Sequence, residues 1–321
     1  MENLLTIRDL SVEYDVSGGR LSAVSHVDMQ IQRGEIYAVV GESGCGKSTI
    51  ASTIMRLTED NTSVTGEILY QGKNLLELSP RKMEEIRGGE IGIIFQNPLD
   101  SLNPVYRSGT QVYEAIRLDQ IPKGEAWQQV KGLYGAVRIP EPEDKIRRFP
   151  YELSGGMRQR VMIAMMLSRH PKLLIADEPT TALDVTIEAQ ILKILRELRD
   201  NPPQVSILLI THNFGVVSEI ADRMGVMYAG KLVEEGEVQE VMKNPAHPYT
   251  KALLESLPRQ SKRMGRIRSI EGNVPRILGE YSGCRFCNRC PLATEICAEM
   301  EPPRKEIKPG HLIFCHKEVN S

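Results

Sequence analysis

The chain has 321 residues, 41% of them hydrophobic and 26% charged, with a formal net charge of −2. That length exceeds one typical domain and predicts one large domain with an appendage, while the near-neutral balance gives no reason to expect a nucleic-acid partner. No apolar run approaches the roughly 20 residues needed to span a bilayer, and Met1 to Leu10, interrupted by Glu2, Arg8 and Asp9, lacks the layout of a secretory signal. The expectation is therefore a soluble protein that stays inside the cell and reaches a membrane only through partners.

Residues 4–14 alternate in the manner of a strand, and a second alternating stretch runs from Ala23 to Ile31 after the turn-rich Ser17-Gly18-Gly19. Glu35 to Val40 is a short apolar run between Gly34 and Gly41, the pattern of a buried strand. Lys47 to Leu57 reads as a helix, Ile91 to Phe95 as a strand, and Lys172–Asp177 and Val205–Thr211 as two further buried strands. Helical patterns such as Ile187 to Arg199 lie between strands, which argues for an α/β fold with a parallel sheet. The stretch from about 97 to 170 carries helix-like segments (Thr110 to Leu118, Lys123 to Val137) and no clear strand, so a helical subdomain inserted into the α/β core is expected there. After about Pro258, Arg259, Lys262, Arg263, Arg266 and Arg268 form a basic connector. A Pro-, Gly- and Cys-rich tail follows, giving expected domains of 1–258 and 259–321.

The chemistry starts at Gly41-Glu-Ser-Gly-Cys-Gly46-Lys47-Ser48-Thr49, a phosphate-binding loop pattern between a buried strand and a helix. Glycines let backbone N–H groups face a phosphate chain, and the helix N-terminus adds its positive dipole end. Gly41, Ser43, Gly44, Cys45, Gly46, Lys47, Ser48 and Thr49 are thus the expected ATP contacts, with Lys47 on the β- and γ-phosphates and Ser48 on Mg²⁺. The strand Leu173-Leu-Ile-Ala-Asp177 ends in an acid fit to hold the hydration shell of Mg²⁺, and Glu178 next to it is placed to polarise the attacking water as general base. Ser154 looks like a helix N-cap whose following Gly155 and Gly156 expose N–H groups to a second anion. One phosphate loop already serves one nucleotide, so this second site asks for another chain's ATP.

Cysteine usage is lopsided: Cys45 stands alone, whereas Cys284, Cys287, Cys290, Cys297 and Cys315 crowd the C-terminal end. In a reducing cytosol such a cluster reads as metal ligation.

The segment Leu153-Ser154-Gly155-Gly156-Met157-Arg158-Gln159, taken with the phosphate loop, resembles the signature motif of the ABC ATPases. The resemblance implies the P-loop ATPase core of that family and two ATP molecules held between two subunits. It also assigns Tyr14 as the adenine-stacking aromatic, Gln96 as the glutamine on Mg²⁺ and water, and Ala182-Leu183-Asp184 as a loop crossing the dimer interface. His212 would contact the γ-phosphate. Phe95–Pro104, Met227–Lys231, His247–Thr250 and the Cys-rich tail are similar to the ATPase subunits of dipeptide and oligopeptide importers. For this subfamily the implied partners are a second, different ATPase, two membrane permeases met by the Phe95–Pro104 segment, and a solute-binding protein. The implied place is the cytoplasmic face of the membrane. The tail resembles a set that binds an iron–sulfur cluster, which selects Cys284, Cys290, Cys297 and Cys315, with Cys287 able to replace one of them. A [4Fe–4S] cluster and structural Zn²⁺ both suit four thiolates. Nickel, glutathione or another small solute are alternative cargoes, and a non-transport ABC ATPase of DNA repair or translation is the rival class. Its usual long coiled-coil insertions and basic arms do not appear in this sequence.

Overall fold

The computed structural model describes residues 2–95, 102–119, 121–181, 183–202, 204–256 and 270–317. Gln96, Ala182, most of the Phe95–Pro104 segment and the basic connector lie outside the described residues. In chain order the strands are β1 Asn3–Val16, β2 Gly19–Gln32, β3 Ile36–Val40, β4 Thr62–Tyr70, β5 Lys73–Asn74 and β6 Ile91–Ile94. They continue with β7 Leu173–Asp177, β8 Ser206–Thr211, β9 Arg223–Tyr228, β10 Lys231–Glu237, β11 Arg304–Lys308 and β12 His311–Phe314. The chain separates into two compact units.

The first unit takes residues 1–2, 32–35 and 77–210. Its strands β6, β7 and β8 are parallel, with Ile91 opposite Leu173 and Leu173 opposite Ser206. Every residue of β7 is buried, which explains its continuous apolar run ending in the carboxylate of Asp177. The helices Ser108–Arg117, Lys123–Ala136 and Gly155–Leu167 pack on one another. Their buried faces carry Val112, Ile116, Val130 and Val161, and Tyr134 donates through its hydroxyl to Ser108 Oγ at 2.9 Å. The amphipathic helix Val185–Asp200 buries Ile191, Leu192, Ile194 and Leu195 on one side, the i, i+3, i+4 spacing that its sequence shows.

The second unit comprises residues 3–31, 36–76 and 211–321. One sheet has the order β2-β1-β4-β5, with β1 and β4 antiparallel. Separately, β3 pairs in parallel with β9, β9 turns back into antiparallel β10, and β10 is followed by β12 and β11. The C-terminal tail thus adds two strands beside β10, where the sequence suggested only a Cys-rich appendage. The helices Lys47–Ile54, Phe214–Ile220, Val238–Lys243 and Pro248–Glu255 complete this unit, and a short helix Glu295–Glu299 lies within the tail. Among the described residues, no helix is long and apolar enough to cross a membrane.

Candidate functional site

The phosphate loop leaves buried β3 and closes on the N-terminus of the helix Lys47–Ile54. Two of its glycines are dictated by space. A Cβ on Gly41 would stand 2.2 Å from the carbonyl oxygen of Met227, and one on Gly46, at φ +104°, would meet that of Ala23 at 2.3 Å. Ser43, Gly44 and Ser48 remain exposed, so the lip of the loop faces outward. Lys47 is buried, and its ammonium donates to the carbonyls of Gly41 at 2.8 Å and Glu42 at 2.9 Å. Cys45 is also buried, and desolvation keeps its thiol above the ordinary range although Lys47 opposes the shift. A neutral thiol there fills space at the base of the loop.

Two segments noted only for their subfamily resemblance prove to brace this loop. In the segment 227–231, Gly230 donates its N–H to the carbonyl of Cys45 at 2.8 Å, just after the Met227 carbonyl that abuts Gly41. In the segment 247–250, Tyr249 accepts the N–H of Glu42 on its hydroxyl at 3.0 Å. His247 caps the helix Pro248–Glu255, its Nδ1 accepting the N–H of Tyr249 at 3.1 Å. Burial lowers His247 from the usual imidazole value to about 4, against the pull of Glu234. The ring is therefore neutral at ordinary pH, as an accepting Nδ1 requires.

In the first unit, Asp177 ends β7 in a buried position, and Glu178 follows with φ +50°, a left-handed backbone that glutamate rarely adopts. Its N–H is tied to the carbonyl of Ile210 at 2.8 Å and its carboxylate accepts from Thr181 Oγ1 at 2.8 Å. A strained acid held from both ends is the kind of feature that clusters at active sites. The helix Gly155–Leu167 begins as the sequence indicated: Ser154 is its N-cap, with Oγ accepting the N–H of Met157 at 3.3 Å. The two glycines differ in purpose. A Cβ on Gly156 would lie 2.6 Å from Ile187, whereas one on Gly155 would meet nothing closer than 4.0 Å. Gly156 serves close packing against the helix Val185–Asp200, and Gly155 has room beside it. From the same helix, buried Gln159 donates to the carbonyl of Pro179 at 2.8 Å, two residues from Asp177. Asp184 caps the helix Val185–Asp200 by accepting the N–H of Ile187 at 2.9 Å.

In the second unit, Tyr14 lies half-buried on β1 opposite Thr62. His212 is exposed just after β8, and Asn213 beside it caps the helix Phe214–Ile220.

Cys284, Cys287, Cys290, Cys297 and Cys315 all line one cavity, with His247, Phe286 and His316 among its other walls. Burial, then neighbouring thiols, push Cys284 up to about 11, and the same causes raise Cys287 and Cys290. Among the described residues, no three His, Cys, Asp or Glu side chains converge tightly enough to hold a single metal ion. The residues that sequence reasoning passed over are Arg285 and Arg289, interleaved with these cysteines. Arg289 pairs with Glu42 at 3.2 Å, and Arg285 donates to Ser22 Oγ at 3.0 Å and to the carbonyl of Ala229. Their only sequence signal was a position between ligand-like cysteines.

A family model described as ABC transporter matches residues 24–181, and one described as oligopeptide/dipeptide transporter, C-terminal region, matches 233–297. The chain is 45% identical over 316 residues to the probable peptide ABC transporter ATP-binding protein y4tR of Sinorhizobium fredii, covering 97% of this chain and 94% of that protein. It is 42% identical over 318 residues to the dipeptide transport ATP-binding protein DppD of Bacillus subtilis, covering 98% and 95%. Among solved structures, cbiO1 from Clostridium perfringens, part of the ABC transporter complex cbiONQ, superposes with a TM-score of 0.67 at 29% identity over 83% of this chain and 100% of that one. The ADP- and phosphate-bound dimer of the ATP-binding cassette MJ0796 shares the fold, with a TM-score of 0.66 at 24% identity over 73% and 98%. With the phosphate loop, the strained acid after β7 and the capped double-glycine helix in place, this chain belongs to the ABC transporter family, among the ATP-binding subunits of its oligopeptide/dipeptide branch.

Proposed function

We propose that this chain is the ATP-hydrolysing subunit that powers import of dipeptides or oligopeptides across the cytoplasmic membrane, acting on its cytoplasmic face. The observation that carries the reading is the phosphate loop itself: Gly41 and Gly46 that admit no Cβ, an outward lip and a buried Lys47 at a helix N-terminus. The peptide cargo is supported by relatives named for dipeptide and oligopeptide transport.

Within this reading Gly41, Ser43, Gly44, Cys45, Gly46, Lys47, Ser48 and Thr49 bind ATP, and Tyr14 stacks on adenine. Lys47 neutralises the β- and γ-phosphates. Ser48, Gln96 and Asp177 hold Mg²⁺, which when bound neutralises developing phosphate charge. Glu178 takes the proton of the attacking water, and His212 steadies the γ-phosphate. Ser154, Gly155 and Gly156 receive the ATP of a second ATPase subunit. The permease meets the Phe95–Pro104 segment, a role supported by exposed Phe95, Val105 and Tyr106 around it. A solute-binding protein delivers cargo to the permease. Residues 1–258 form the ATPase domain, with a helical subdomain at about 97–170, and 259–321 the metal-binding extension.

The extension is assigned a [4Fe–4S] cluster held by Cys284, Cys290, Cys297 and Cys315, with Cys287 as the substitute ligand. The donor set fits: five thiols line one cavity. Four thiolates also suit a structural Zn²⁺, which stays the alternative occupant. Chain purified without oxygen is expected to be brown, absorbing near ~400 nm with roughly four irons. A colourless chain with one zinc would replace the cluster by a zinc clamp.

The transport reading is tested in proteoliposomes holding the assembled transporter and its binding protein. Mg²⁺-dependent ATP hydrolysis should rise when an oligopeptide is supplied; hydrolysis indifferent to peptide, but rising with nickel or glutathione, would move the cargo assignment to that solute.

A further inference from the structure

Arg289 reaches from the Cys-rich segment to the phosphate loop, 247 residues away in sequence. Its guanidinium, on a side chain only 7% exposed, meets both carboxylate oxygens of Glu42 at 3.2 Å. Nη1 also donates to Tyr228 Oη at 3.3 Å, and Nε and Nη2 donate to the carbonyls of Glu271 and Gly272. The whole donor fork is used, so its direction is fixed.

Glu42 is the second residue of the phosphate loop and is held at three points. Tyr249 takes its N–H, Lys47 donates to its carbonyl, and Arg289 takes its carboxylate. The last of these holds the residue whose carbonyl orients the Lys47 ammonium. Between loop and cysteines lies a packed aromatic set: Tyr228 stands edge-on to Tyr249 at 4.6 Å and to Phe286 at 5.1 Å. Movement of the Cys284–Cys290 segment therefore reaches the loop through a charged fork and through packed rings.

We propose that Arg289 is a positioning residue of the nucleotide site, holding Glu42 so that the phosphate loop and Lys47 are set for the phosphates, which makes the Cys-rich extension a structural part of that site. The inference rests on the phosphate-loop reading of the proposed function.

The test measures affinity of the full chain for a fluorescent ATP analogue with Mg²⁺, with thermal melting of each variant alongside. Arg289→Ala is expected to weaken binding about tenfold, the equivalent of roughly 1.4 kcal/mol, and Arg289→Lys to recover part of the loss. Glu42→Gln keeps every carbonyl bond of Arg289 and guards against misfolding of the extension. It should weaken binding to a similar degree, and the double variant Arg289→Ala/Glu42→Gln should be no worse than the poorer single one. In the assembled transporter these changes should raise KM for ATP more than they alter kcat. Additive losses, or binding within twofold of the parent in both Arg289→Ala and Glu42→Gln, overturn the inference. Lys47→Ala separates the two levels. If it abolishes binding while the Arg289 and Glu42 variants do not, only the positioning role fails; if it leaves binding intact, the phosphate-loop reading falls and the inference with it.

Discussion

Glu178 carries backbone strain at the position proposed for the general base. Its φ of +50° is retained because the backbone N–H and the carboxylate are each fixed by a neighbour. Replacing the carboxylate by its amide keeps that geometry but removes the proposed base. Glu178→Gln is expected to lower kcat for ATP by about 10²–10⁴-fold with little change in ATP affinity, read by steady-state hydrolysis beside equilibrium binding. His247 makes a prediction about pH. Its folded pKa, near 4, lies below the unfolded value near 6.5, because burial disfavours the cation. The folded chain therefore binds fewer protons than the unfolded one, and stability present above pH ~6.5 drains away as pH falls toward ~4, by roughly 3 kcal/mol at most. His247→Asn keeps a capping acceptor and should flatten that part of a melting-temperature-against-pH curve. The loop-to-helix turn before Lys47 and the cap at Ser154 were legible in the sequence because each depends on neighbours a few positions away. Arg289 and Tyr249 were not, since their partner Glu42 lies more than 200 residues distant and only the fold joins them.

Among the elements, the short apolar strands β3, β6, β7 and β8 announced themselves, whereas buried β9 and β10 and the more exposed β4 and β11 did not. β7 and β8 are buried at every position, and their central residues are apolar for that reason. β11, Arg-Lys-Glu-Ile-Lys, alternates between exposed and half-buried positions, so no hydrophobic period marks it. β4 is likewise exposed over most of its length and was passed over, although it pairs along much of β1. The helix beginning at Gly155 was legible in its start, and its packing adds what the motif alone could not. Gly156 sits where Ile187 would strike any side chain. Gly156→Val should cost about 1–3 kcal/mol through overpacking against Ile187, read as a lowered melting temperature. Gly155→Ala meets no such contact and should leave the melting temperature nearly unchanged.

At the scale of the molecule, the C-terminal tail is joined to the second unit by a sheet as well as by the thiol cavity. β12 pairs with β10, and His311 reaches buried Glu234 at 2.7 Å, the same carboxylate that accepts the backbone N–H groups of Ala246 and His247. The segments 227–231 and 247–250, the tail and the phosphate loop thus share one set of buried contacts within that unit. This explains in physical terms why those distant sequence features belong together. The central claim, that ATP turnover on this chain drives peptide import, is tested most directly by uptake of a radiolabelled oligopeptide in cells whose only copy of this subunit carries Glu178→Gln. Uptake is expected to fall to background while the variant accumulates to the parent level and still binds ATP. Uptake at the parent rate in those cells would contradict it.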